Sequence, residues 1–116
     1  NYGRVNVVAS EIPSFTVEEP VTLSGSAALT LNSGVTMAVS NTTGFDLNVE
    51  SGSTATLQAG AAVDLDEMRI SGGTLNNGAS YQVRRLFVDN GGIAKLGAEI
   101  SVIEQLSVTG GGEIRR

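Results

Sequence analysis

The sequence predicts an all-β fold of one kind: a right-handed parallel β-helix of about five three-stranded coils, with residues 1–116 forming a single β-solenoid domain. Three observations predict it. Short runs alternate apolar and polar residues with a period of two, the signature of strands, and no run carries helical spacing. A Ser-Gly or Gly-Gly pair returns about every 20 residues, at Ser51-Gly52, Gly72-Gly73, Gly91-Gly92 and Gly110-Gly111, and a repeat of that length marks a solenoid. The apolar residues also fall at matching places in each repeat, so stacking one unit on the next buries one residue per column.

The elements follow in chain order. Residues 3–23 form a first coil with apolar pairs Val5/Val7, Phe15/Val17 and Val21/Leu23; Pro13 and Pro20 fall at its corners, where a missing N–H does least harm. The second coil uses Leu29/Leu31, then Val35/Met37/Val39, then Phe45/Leu47/Val49, and its extra residues form a polar loop, Ser40–Gly44. The third has a strand ending on Leu57, a turn at Gly60, and the inward set Val63, Leu65, Met68, Ile70. The fourth repeats this with Leu75, Gly78, and Tyr81, Val83, Leu86, Val88. The fifth has Leu96, Gly97, and Ile103, Leu106, Val108 inward; Ser101 breaks the first position, and Ile100 and Val102 mark a local shift. Residues 110–116 begin another unit, with Ile114 in its first strand. An antiparallel sandwich is the commoner all-β answer, but in-register repeats favour parallel stacking. A left-handed helix would step by six residues; variable coil length and an inserted loop favour the right hand.

Composition narrows the chemistry. Of 116 residues, 41 % are apolar but only 4 % aromatic, with no Trp, so the core is built from Val, Leu, Ile and Ala. No Cys and no His are present, which excludes disulfides, thiolate or imidazole zinc sites, Cys nucleophiles and His-based triads. The net charge is −5 with no basic run, so no nucleic-acid partner is expected. No apolar run approaches the ~18 residues of a membrane helix, so no membrane insertion is expected. The calcium-solenoid pattern needs an Asp after its glycines, and Gly72-Gly73-Thr74-Leu75 and Gly91-Gly92-Ile93-Ala94 lack one. The glycine-rich corners carry neither the helix nor the Lys of a phosphate-binding loop. No repeated Thr pair occupies one column, as an ice-binding face would require. No metal, cofactor or catalytic residue is therefore assigned.

The densest acidic cluster is Asp64, Asp66 and Glu67, and two carboxylates can serve as an acid–base pair in glycan cleavage. The repeat argues for a structural role. Asp66 and Glu67 stand where Arg84 and Arg85 stand one coil later, and where Glu104 and Gln105 stand after that. Stacking would turn these residues into an opposite-charge ladder along the rod. Phe87 takes an outward position, and Asn41-Thr42-Thr43 is a glycosylation tripeptide in the inserted loop.

The Gly-Gly-x-x-x-Leu turns followed by alternating Val/Leu strands, over residues 24–114, resemble the β-helical passenger and stalk regions of bacterial surface adhesins and autotransporters. The resemblance implies a structural, non-catalytic building block of an extracellular or cell-surface fibre. A carbohydrate-binding or polysaccharide-degrading β-helix module is the alternative; outward aromatics in neighbouring coils would favour it, and only Phe87 qualifies. A β-helix leaves unpaired backbone and a slice of core at each end. The expected partner is another copy, end to end, or adjoining coils of a longer chain. The expected assembly residues are Val5, Val7, Glu18 and Glu19 at one end and Val108, Ile114, Arg115 and Arg116 at the other. Residues 1–58 carry net −4 while the last two residues are both Arg, which favours one polarity of stacking.

Overall fold

The computed structural model describes residues 4–7, 14–17, 21–31, 36–39, 46–63 and 65–116. Among them there is no helix, and hence none long and apolar enough to cross a membrane. The strands are β1 (Arg4–Val7), β2 (Ser14–Val17), β3 (Val21–Leu23), β4 (Ala28–Leu31), β5 (Thr36–Val39), β6 (Asp46–Glu50) and β7 (Thr54–Leu57). They continue with β8 (Ala62–Val63), β9 (Leu65–Ser71), β10 (Thr74–Asn77), β11 (Tyr81–Asp89), β12 (Ile93–Leu96), β13 (Ile100–Val108) and β14 (Glu113–Arg115).

One sheet runs β1-β4-β7-β10-β12-β14, a second β3-β6-β9-β11-β13 and a third β2-β5-β8. Every strand ladder is parallel and joins a strand to its counterpart in the next repeat, never to its neighbour in sequence. Parallel pairing needs a long connection between partners, and here that connection is the rest of the coil. The fold is thus a β-solenoid, and the antiparallel sandwich is excluded.

The core is a set of columns. Leu29, Ala55, Leu75 and Ala94 stand in register and are 2, 0, 0 and 0 % exposed. Large and small side chains alternate along that column, which lets successive layers interdigitate at the ~4.8 Å spacing between strands. Leu47, Met68 and Leu86 form a second buried column, and Val49, Ile70 and Val88 a third.

Several details differ from the sequence expectation. Val63 and Tyr81, expected inward, are only half-buried against the core, at the same 18-residue offset as the ladder pair Leu65↔Val83. In β11 and β13 two expected strands run on as one, across a register shift between Val83 and Arg85. There Val102 pairs with Val83, while Ile103 and Glu104 together oppose Arg84. This one-residue bulge turns Ile103, expected inward, to 60 % exposure.

The corner after β11 shows why glycine recurs. Gly92 donates its N–H to the Asp89 carbonyl at 2.9 Å, closing a turn whose central residues, Asn90 and Gly91, have φ of 54° and 79°. A Cβ on Gly92 itself would fall on the Ile70 carbonyl oxygen of the preceding coil. Backbone contact between coils therefore fixes glycine there.

Candidate functional site

The candidate site occupies the bend of β9, β11 and β13 and the open edge beside it. At the bend, Glu67, Arg85 and Gln105 are Cα partners in one row. Arg84 Nε donates to Glu104 Oε2 at 2.6 Å, and the same Nε lies 3.4 Å from Asp66 Oδ1. Arg85 lies 3.4 Å from both Asp66 and Glu67 and 4.0 Å from Glu104. The guanidinium pair stands between two acidic rows, which is the arrangement the repeat implies. Glu104, bonded to Arg84, raises that guanidinium's pKa above its ordinary value, and Asp66 adds to the effect.

The ladder has a flaw on its other side. Asp46 pairs in register with Glu67, acid against acid. Burial pushes the Asp46 carboxyl above the usual carboxylate range and the Asp66 charge pushes it further, against a smaller opposing pull from Arg85.

Phe87, expected to stand outward, is half-buried, with the Arg69 guanidinium 4.4 Å from its ring centroid. Arg69 Nη1 also donates to Asp89 Oδ2 at 3.1 Å. The ring is thus covered by its own chain on that face. Among the described residues no three acidic side chains converge as metal ligands.

The open edge is where the columns end. Met68, Leu86 and Leu106 are successive members of one column, 0, 2 and 55 % exposed; Ile70, Val88 and Val108 follow the same course, ending at 42 %. With Ile103 at 60 % and Ile114 at 37 %, these are the large exposed apolar side chains among the described residues. Arg115 engages Glu113 of its own strand at 2.9 Å, lowering the Glu113 pKa, so part of the basic charge at this tip is neutralised locally. Arg116 lines a hollow of about 500 Å³ with Leu96, Gly97, Ala98, Glu99 and Ile100 at the same end.

Of the other sequence-derived candidates, Val5 and Val7 lie in β1, the outermost strand of its sheet among the described residues. Glu18, Glu19, Asn41 and Asp64 lie outside the described residues.

Sequence reasoning passed over Asn77. It is 3 % exposed, and its Nδ2 donates to the Ala79 carbonyl at 2.8 Å and to that of Ala98, one coil on, at 3.4 Å. Its signal was a polar residue in an otherwise apolar column, between Leu57 and Leu96.

No known protein family, curated protein or solved structure matches this chain.

Proposed function

We propose that this chain is a structural, non-catalytic β-solenoid building block that continues end to end through its open coil edge, as part of an extracellular or cell-surface fibre. The observation that carries the reading is the β13 edge. There, columns sealed to within 2 % at Leu86 and Val88 open abruptly at Leu106 and Val108. Covering them returns roughly 25 cal/mol per Å² of apolar area. The unpaired N–H and C=O groups of the same strand gain ladder hydrogen bonds as well.

In this reading the solenoid is right-handed, with about five three-stranded coils, and a β14 strand that begins the next. The handedness follows the strong rule for parallel crossovers. Placement outside the cell rests on the high Ser/Thr/Asn/Gly content, the Asn41 tripeptide and the resemblance to adhesin and autotransporter stalks. The ion-pair ladder acts as a register lock, since Asp66 and Glu67, two of the three carboxylates that a glycan-cleaving site would draw on, are engaged by Arg84 and Arg85.

The test is sedimentation velocity over a wide concentration range, with electron microscopy of the same samples. Wild-type chain forms linear particles that lengthen with concentration, and Ile114→Asp holds them as single units. A wild-type chain that stays monomeric and folded at millimolar concentration refutes the proposal.

A further inference from the structure

The sequence holds two Asn-Gly pairs, Asn77-Gly78 and Asn90-Gly91. Asparagine is a chemically labile residue, and a following glycine makes it more so. With no side chain on the glycine to shield or restrain it, the glycine nitrogen can swing onto the asparagine side-chain amide. The fold treats the two pairs differently. We propose that Asn90-Gly91 is a self-modification site: Asn90 deamidates there by way of a succinimide, and the isoaspartate product lengthens the backbone at a corner held between two coils.

The first argument is access. Asn77 is 3 % exposed, and its Nδ2 is committed to the Ala79 and Ala98 carbonyls. Gly78 donates its N–H at 2.6 Å to the carbonyl of Leu57, a buried core residue. Reaction at that pair requires the core to open. Asn90 and Gly91 are both exposed, although a coil lies on each side of them. From one side Gly72 donates its N–H to the Asp89 carbonyl, and toward the other Gly91 donates to the Gly110 carbonyl. The exposure is therefore on the flank of the solenoid and does not come from an open end. Among the described residues, chain neighbours aside, no atom lies within 4 Å of where a Cβ on Gly91 would stand. Asn90 also lines a hollow of about 260 Å³ with Glu50, Ser51 and Ser71, which admits water. Freeing the Gly91 N–H breaks a 3.0 Å bond between two corners, and opening an exposed turn costs far less than opening the core.

The second argument is the chemistry. Base removes the freed proton, and the Gly91 nitrogen attacks Asn90 Cγ. The N–Cγ bond forms, the Cγ–Nδ2 bond breaks, and Nδ2 takes up a proton and leaves as ammonia. Water then opens the succinimide. Attack at Cγ gives aspartate; attack at the main-chain carbonyl carbon gives isoaspartate, with the chain running through Cβ and Cγ. One water is consumed and one ammonia released, and no other reactant is needed.

The third argument is the consequence. A Cβ on Gly72 would lie 3.2 Å from the Asn90 carbonyl oxygen, and one on Gly110 would lie 3.1 Å from the Asn90 nitrogen. The Asn90 main chain thus sits against both neighbouring coils. Its turn depends on φ of 54° at Asn90 and 79° at Gly91. An added backbone methylene has no room in that turn without moving one coil against the next, and the new carboxylate stands beside Asp89.

The test is prolonged incubation of the folded chain at mildly alkaline pH, with peptide mapping by mass spectrometry and fragmentation that tells isoaspartate from aspartate. In the folded chain Asn90 converts at least about tenfold faster than Asn77, whereas in urea-unfolded chain the two rates agree within about threefold. Asn90→Gly, which keeps a residue suited to positive φ, removes most of the folded chain's mass gain. The separated isoaspartate form unfolds at lower denaturant than Asn90→Asp, which carries the charge without the added backbone atom. Conversion in the folded chain no faster at Asn90 than at Asn77, or an isoaspartate form as stable as Asn90→Asp, overturns the proposal.

Discussion

The middle of the solenoid and its β13 edge carry matching residues in two columns, Leu86 with Leu106 and Val88 with Val108, and there the difference is a strand on both sides or on one. Leu86 lies between Met68 and Leu106 and is 2 % exposed; Leu106 stands one layer further out and is 55 % exposed. In a solenoid each repeat is buried by its neighbours, so the worth of a side chain depends on its layer more than on its identity.

The largest effect should come from the middle. Leu86→Ala should cost about 2–5 kcal/mol in thermal or denaturant unfolding, because it opens a cavity between two packed layers. Leu106→Ala, measured at a dilution where the chain is a single unit, should cost under about 1 kcal/mol. Equal losses at the two positions would break the contrast.

Gly92→Ala comes next, at about 1–3 kcal/mol, because the new methyl group meets the Ile70 carbonyl of the layer below and no side chain can yield to it. A substitution without effect on unfolding would mean that the coils sit further apart at this corner.

The charged bend is weaker. A double-mutant cycle on Glu67 and Arg85 should give a coupling of about 0–1 kcal/mol that falls as salt is raised, since the Arg85 side chain is 37 % exposed. A salt-independent coupling well above that would place the pair in a drier setting than its exposure implies.

The smallest effect has the opposite sign. The folded Asp46 carboxyl titrates above its unfolded value of 3.8, so between those two pKa values the folded chain holds more protons. Stability therefore falls as pH rises through that window, and at pH 7 the ionised Asp46 is a cost. Asp46→Asn should raise stability at pH 7 by a few tenths of a kcal/mol, about the cost of like charges opposite each other in a ladder. The gain should vanish below pH 3.8, where Asp46 is protonated in both states. A variant less stable than wild type at pH 7 would show that the pull of Arg85 and the Glu67 backbone N–H outweighs burial and Asp66.

Much of this architecture was legible in the sequence because the solenoid repeats its own answer. The pairs Leu65/Val83, Met68/Leu86 and Ile70/Val88 can be read from spacing, as can the rows of Asp66, Arg84 and Glu104. Ile103 was misplaced because a single extra residue in β13 reverses the facing of everything before it, and spacing does not say where a strand absorbs an insertion. Tyr81 was assigned to the inward side, where it packs against the core, but one of its contacts was not legible. Its ring is half-buried with its hydroxyl 3.7 Å from Met68 Sδ, a contact across columns that no single-column pattern contains. Asn77 escaped for a third reason. Its amide serves carbonyls at a corner, and corners are where the repeat is least regular. The open edge was legible as a consequence of the fold, from Leu106, Val108 and Ile114, while the bulge that adds Ile103 to it was not.

Amide hydrogen exchange, followed residue by residue as concentration is raised, tests the edge most directly. In the dilute chain the account predicts slow exchange at the paired amides of β9 and β11 and fast exchange at the outward amides of β13. As concentration rises, β13 should become protected while β9 and β11 change little. Outward β13 amides as slow as those of β11 at the lowest concentration would contradict it, because the edge would then be covered before any second strand arrives.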